Sequence, residues 1–209
     1  MQLKKKVKGR VPKRKKGVSC NRVKAVIGLG NPGRKYRLTR HNLGYRVVEE
    51  FFRQEKLRWS KKIIRSCWVS VWQDEVVLAL PQTYMNRSGG AAFEIKEYFD
   101  VPVDSMLVVM DEIDFSFGAI RFKASGGSAG HKGLESITGS LGTGDFNRLR
   151  IGIGPLPEDE ELTSYVLSNF SSAEENRLIQ VIKKSKDAIK VWIKDDIEFC
   201  MNRFNIRET

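Results

Sequence analysis

The chain has 209 residues and 23.8 kDa, with 41% hydrophobic and 30% charged residues. That suffices for one domain with its own core, and it excludes a helical membrane protein, because the longest apolar runs, such as residues 106–110, fall far short of the ~20 residues a spanning helix needs. Net charge is +12, but nine Lys or Arg and no acid lie in residues 1–20, leaving a body that is only mildly basic. The basic start is followed by no apolar stretch, so no signal peptide is read. Cys20, Cys67 and Cys200 are scattered and form no C-x-x-C pair, which points to reduced thiols, a cytoplasmic setting and no structural metal.

In chain order, "MQLKKKVKGRVPKRKKGVSC" repels itself and is read as a disordered tail over residues 1–20. Such a segment attracts polyanions, so it is expected to contact RNA or the ribosome; the bland reading is a solubilising extension. A transit peptide fits poorly, since the run is rich in Lys and holds one Ser. The folded domain is expected over residues 21–209. "VKAVIGLG" is an apolar run ending in glycine, hence a buried strand. A helix is predicted over about 42–56, with Leu43, Val47 and Phe51 on one face and Val48 and Phe52 beside them. "SCWVSVWQDEVVLALPQ" reads as two strands joined at Gln73-Asp74. Ser88 is expected to cap a helix running through Tyr98. Residues 106–110 form a further buried strand with Asp111 at its C-terminal end. "FGAIRFKAS" alternates, with Ile120 and Phe122 inward and Arg121 and Lys123 outward. A glycine loop and a helix over about 131–141 follow, then the strand "FNRLRIGIG". "PEDEEL" reads as a solvated, acidic helix entrance. "LTSYVL" and "SSAEENRLIQVIKKSKDAIKVWIKD" read as helices. Leu178, Ile182, Ile189 and Trp192 keep helical spacing, and Ser171 and Ser172 stand before Glu174 and Glu175 as a capping signal. Strands and helices interleave, so the fold class is α/β: one domain, a twisted mixed sheet with helices on both faces.

Three glycine patterns invite readings that do not hold. Gly28, Gly30 and Gly33 match the dinucleotide fingerprint, but Pro32-Gly33 makes a turn and the helix starts about ten residues late. "GGSAG" matches a nucleophile elbow at Ser128, yet that pattern needs an acid and then a histidine downstream. Beyond Ser128 the chain has only His131, three residues on. "GGSAGHKG" lacks the Gly-Lys-Ser/Thr of a P-loop. No nucleotide or other cofactor is therefore expected, and the glycine loop reads as amides facing an anion at a helix N-terminus.

Polar clusters do end or follow the strands: Asn31, Arg40-His41-Asn42, Tyr84-Met85-Asn86, Asp111 and His131-Lys132. Open α/β sheets place their sites at that edge. Histidine can serve as a general base near neutrality. A carboxylate on its other nitrogen fixes the tautomer, and asparagine amides can hold water or a developing oxyanion. The set suits water-mediated acyl transfer without metal or covalent intermediate. Taken singly, each member has a plainer reading: a structural histidine, a turn acid, a solvated strand face.

"VIGLGNPGRKYRLTRHNLGYRVVEEF", "PQTYMNRSGGA", "VVMDEIDFSFGAIRFKASGGSAGHKGLESI" and "DFNRLRIGIGP" occur in this order and together resemble the bacterial-type peptidyl-tRNA hydrolase family, over about residues 23–203. The resemblance implies hydrolysis of the ester between a peptide and the terminal ribose of tRNA, by a monomer without cofactor. It implies that His41 is the proton acceptor that activates water and that Asp111 holds its basic form. Asn31 would distinguish blocked from unblocked aminoacyl-tRNA. Tyr36, Tyr84 and Asn86 would contact the tRNA end or the peptide, with Met85 lining the same crevice. Arg121, Lys123 and Arg148 would lie near tRNA phosphates, and the C-terminal helices would form a lid over the groove. One position departs: the family commonly has Gly-His-Asn-Gly, and this chain has Lys132 in "GHKG". Lysine donates but cannot accept, and its charge is expected to lower the pKa of a nearby histidine. Lys132 and the basic tail leave one alternative, a catalytically weak RNA-binding relative of the same fold.

Overall fold

The computed structural model describes residues 23–58, 60–73 and 75–205; the expected tail over residues 1–20 lies outside them. The strands are β1 (Lys24–Gly28), β2 (Ser60–Ile64), β3 (Cys67–Trp72), β4 (Val76–Pro81), β5 (Met106–Ser116), β6 (Ile120–Lys123) and β7 (Asn147–Gly154). The helices are α1 (Leu43–Gln54), α2 (Ser88–Phe99), α3 (Lys132–Leu141), α4 (Leu162–Leu167), α5 (Ser172–Lys194) and α6 (Ile197–Phe204). Among the described residues the strands form one sheet in the order β2-β3-β4-β1-β5-β7-β6. β1 runs parallel to β4 and β5, and β5 parallel to β7. The pairs β2–β3, β3–β4 and β6–β7 are antiparallel. The sheet is mixed, as the interleaved pattern predicts.

Two cores lie on its two faces, sorted by the two-residue period of each strand. Val26, Leu107 and Val109 pack with Leu43, Val47 and Phe51 of α1 and with Leu178, Ile189 and Trp192 of α5. Ala25, Ile27, Met106 and Val108 pack with Ala91, Ala92 and Ile95 of α2 and Leu134 and Ile137 of α3. Burial on both faces explains why β4 reads as an unbroken apolar run. β1 is also fastened at its start. The Lys24 ammonium donates to the carbonyl oxygens of Trp192, Ile193 and Asp195 at 2.7, 3.0 and 3.0 Å, satisfying orphan carbonyls at the end of α5.

Several boundaries differ from expectation. β2 adds a third strand ahead of the predicted pair, and α6 adds a helix beyond α5. β5 runs on to Ser116, because it pairs with β7 well past the point where β1 ends. A 3-10 turn over Arg40–Asn42 precedes α1. Ser88 is no cap: it is the first residue of α2, and its hydroxyl donates back to the Met85 carbonyl at 2.8 Å. By contrast, Ser171 and Glu174 form a reciprocal capping box at the start of α5.

Gly44 sets how closely α1 lies on the sheet. A Cβ there would stand 2.0 Å from the Val109 carbonyl oxygen. The next nearest atoms, Val109 C and Leu29 N at 2.7 and 3.1 Å, are also main chain, so nothing there can yield cheaply. Gly44→Ala is expected to lower unfolding free energy by about 3 kcal/mol or more. Urea unfolding checks this, and a midpoint equal to the wild type's would contradict the close approach.

Candidate active site

The carboxyl edge of β1 and β5 carries the site, as sheet topology leads one to expect. The chain leaves β1 through Leu29, Gly30 and Asn31. Asn42 pins this loop from the turn before α1: its Oδ1 accepts the Asn31 amide at 2.8 Å, and its Nδ2 donates to the Asn31 carbonyl at 2.9 Å. Asn31 in turn accepts the Met85 amide through Oδ1 at 2.8 Å. That contact assigns the side-chain oxygen and leaves Nδ2 as the remaining donor on the cleft wall.

Asp111 lies two residues beyond Val109, the last residue of β5 paired with β1. Although the strand continues, the carboxylate therefore stands over the end of β1. It is 3% exposed and serves two histidines. His41 Nδ1 lies 2.9 and 3.0 Å from the two Asp111 oxygens, and His131 Nε2 lies 3.2 Å from Oδ1. The second histidine is the N-cap of α3, and its Nδ1 accepts the Gly133 and Leu134 amides at 3.1 and 3.4 Å. Accepting there places its proton on Nε2, facing Asp111. His41 likewise directs Nδ1–H at the carboxylate, so its Nε2 is the nitrogen left for the cleft.

Electrostatics follow from this arrangement. Burial works against a charged imidazole at His41, but the Asp111 charge and hydrogen bond outweigh it and raise the pKa. Burial alone would push the Asp111 carboxyl up; the two histidines hold it well below the ordinary carboxylate range. The ligand atoms of His41, Asp111 and His131 lie within 4.8 Å of one another, close enough to raise the question of a metal. The α3 cap answers it: a cation at His131 Nε2 would have to displace a proton that the Gly133 and Leu134 amides keep there. The donor set is that of a hydrogen-bonded relay.

The cleft is about 600 Å³ and brings together Asn31, Tyr36, His41, Tyr84, Met85 and Asn86 with Asp111 and Lys132. Tyr36 and Tyr84 meet edge to face at 6.3 Å, with Tyr84 55% exposed at the mouth. Met85 is buried in the floor and Asn86 is exposed at the rim. One wall is α4, through Leu162, Val166 and Leu167. Lys132 is exposed and paired with Glu135 at 3.1 Å. Its expected lowering of a histidine pKa is not found at His41, where Asp111 dominates.

Three expected positions lie outside the cleft. Arg121 and Lys123 are on β6, with the Arg121 guanidinium 4.5 Å from the Phe115 ring. Arg148, expected near phosphates, is 1% exposed. Its guanidinium donates to Gly127 at 2.8 Å and Gly144 at 3.3 Å, and also to the Gly126 carbonyl. It ties the glycine loop down, since a buried cation must spend its donors inside. Arg40, grouped with His41 by sequence, also turns inward, onto Glu174. Two contributors were under-read. His131 stands one residue before a helix, the position of an N-cap, and Asn42 follows His41 directly; neither spacing reveals the partner. A larger cavity of about 900 Å³ between α1 and α5 holds none of this chemistry, and its Arg46 and Arg53 are paired with Glu175 and Glu50.

The sequence profile of the family described as "Peptidyl-tRNA hydrolase" matches residues 25–209. The chain is 42% identical over 181 residues to a peptidyl-tRNA hydrolase of Methylacidiphilum infernorum, covering 86% of this chain and 96% of that one. With that of Aquifex aeolicus it shares 39% over 184 residues, covering 85% and 96%. The crystal structure of peptidyl-tRNA hydrolase from Acinetobacter baumannii superposes with a TM-score of 0.80 at 31% identity, over 90% of this chain and 97% of the other. Agreement in profile, identity and fold runs through nearly the whole described chain, and on that ground the chain belongs to the peptidyl-tRNA hydrolase family.

Proposed function

We propose that this protein hydrolyses the ester of peptidyl-tRNA, releasing peptide and tRNA, with His41 as general base. The observation that carries the reading is the His41–Asp111 contact, which leaves Nε2 as the basic nitrogen of a 600 Å³ cleft. His41 Nε2 takes a proton from water as its oxygen attacks the ester carbonyl. Asp111 steadies the imidazolium. The Nδ2 of Asn31, with Asn86 at the rim, supplies donors to the carbonyl oxygen as charge develops on it. Collapse of the tetrahedral intermediate breaks the bond to the ribose oxygen, and the imidazolium returns the proton to it. Tyr36, Tyr84 and Met85 are assigned to the substrate end, and exposed Lys132 to phosphate or peptide at the mouth. None of these steps calls for a metal or cofactor.

Arg121 is held against Phe115, beside Arg150, whose own guanidinium lies 4.4 Å from the same ring. Arg150 is spent on Glu112, at 2.6 Å. No acid pairs with Arg121 among the described residues, which suits it and Lys123 to tRNA phosphates. Arg148 is assigned instead to holding the glycine loop. Free, buried Cys67 and Cys200, both with pKa raised by burial, the latter to about 11, accord with a reducing, cytoplasmic setting. No described helix is long and apolar enough to cross a membrane. The reading includes a monomer, which the self-contained cleft allows.

The test is release of tRNA from an N-acetylated aminoacyl-tRNA beside the unacetylated ester. Rapid cleavage of the blocked ester alone is expected; a folded protein that binds tRNA and cleaves neither would point to the RNA-binding alternative. Removing residues 1–20, which hold nine cations, is expected to raise KM several-fold at low salt, leave kcat unchanged and flatten the salt dependence. Equal KM and equal salt slope in the truncated protein would exclude an RNA role for the tail.

A further inference from the structure

Arg40 sits between Thr39 and His41, yet its side chain points away from the cleft. Its guanidinium forks onto Glu174, with NH1 to Oε1 at 2.8 Å and NH2 to Oε2 at 3.0 Å. The Tyr165 and Phe170 rings flank it at 4.3 and 4.8 Å. The same stretch is tied by main chain: the Arg40 amide donates to the Ser168 carbonyl at 3.0 Å, and Thr39 bridges Asn169. Tyr165 belongs to α4 and is anchored below, its hydroxyl donating to the Ile153 carbonyl at 2.6 Å. One side of this junction thus carries His41, and the other carries the α4 wall with Leu162, Val166 and Leu167.

Stability alone does not account for such a pair. The fork holds the Glu174 pKa down at about 2 against burial, but desolvation offsets much of such a pair's attraction, and apolar replacements are often no worse. Arg40 adds to that cost, because its Nε is buried with no partner. What a forked, ring-flanked pair supplies is a fixed distance and orientation. Glu174 also accepts the Ser171 amide at 2.7 Å, so the start of α5 is registered on the same carboxylate.

We infer that Arg40 and Glu174 are positioning residues that set the α4 wall relative to His41, and so determine how the enzyme discriminates among the side chains next to the ester. This rests on the hydrolase reading above. The wall is apolar and open, with Leu162 48% and Leu167 40% exposed. A bulky apolar residue next to the ester meets that wall, whereas glycine does not reach it. His41 itself is held by Asp111 and by the turn at Asn42, so chemistry survives when the fork is lost.

Glu174→Gln isolates the fork. Glutamine still completes the capping box with Ser171, but it cannot present two anionic oxygens to Arg40. With N-acetylphenylalanyl-tRNA, KM is expected to rise about tenfold at unchanged kcat, and with N-acetylglycyl-tRNA to change by less than about twofold. Arg40→Lys keeps the charge but not the fork, so it is expected to shift the phenylalanyl KM in the same direction by a smaller factor. Circular dichroism establishes that both variants are folded. Equal losses on both esters, or no change on either, overturn the inference. A wild type that cleaves neither ester overturns the hydrolase reading, and this inference with it, without reference to any variant.

Discussion

Replacing His41 with alanine is expected to lower kcat by about 10²- to 10⁴-fold while leaving tRNA affinity nearly intact. Of the two histidines that line the cleft, His41 is the one with a ring nitrogen left free of a hydrogen bond to the protein. Its Nδ1 is committed to Asp111 at 2.9 Å, and the second histidine has both nitrogens occupied, one by Asp111 and the other by the α3 amides. Arg121 and Lys123 lie on β6, outside the cleft, so the phosphate contacts proposed for them should persist when His41 is replaced. Single-turnover cleavage of a blocked aminoacyl-tRNA, paired with filter binding of the same tRNA, measures both quantities. Turnover that survives in His41→Ala and vanishes in Ser128→Ala would transfer the chemistry to the glycine loop.

Asp111→Asn is expected to be at least as damaging, for a different reason. The carboxylate accepts N–H groups from two histidines. An asparagine keeps the shape but turns one acceptor oxygen into a donor. It must then face an N–H with an N–H, or push His41 into the tautomer that carries its proton on the cleft side. Loss of kcat on the order of 10³- to 10⁴-fold follows from the misplaced proton. The pH profile supplies an independent sign. Burial lowers the His41 pKa, and Asp111 more than restores it, giving a net rise. The proposed base at His41 acts when deprotonated, so wild-type activity is expected to climb as pH rises through that raised value. Without the carboxylate charge only burial acts, and the acid limb of the residual kcat/KM profile must move to lower pH. A limb that stays in place, or moves up, would show that Asp111 does not govern His41.

Fold class was legible because periodicity is a local property. The apolar run in β1, the alternation of Ile120 and Phe122 with Arg121 and Lys123, and the spacing of Leu178, Ile189 and Trp192 each report burial one element at a time. β2 was missed because "SKKII" has no apolar alternation to mark a strand. Ser88 was misread because a hydroxyl one residue inside a helix resembles one at its cap. The acids and bases of the site were legible as residue types, and His41, Asp111 and Asn31 converge in one cleft, but Asp111, expected at a strand end, lies within β5.

Which of the flanking charges face that cleft was decided only by the tertiary structure. Arg40 and His41 are neighbours in the chain, yet one turns inward to Glu174, 134 residues away, and the other faces the cleft. Arg148 and Lys123 are register partners on adjacent strands, yet one is 1% exposed and holds glycine carbonyls while the other is exposed. His131 gained its place beside Asp111 because the α3 amides fix its tautomer. Local sequence sets the period, and with it the face on which a side chain emerges. The partner waiting there comes from distant elements, whose approach is set by backbone contacts such as that of Gly44 with Val109.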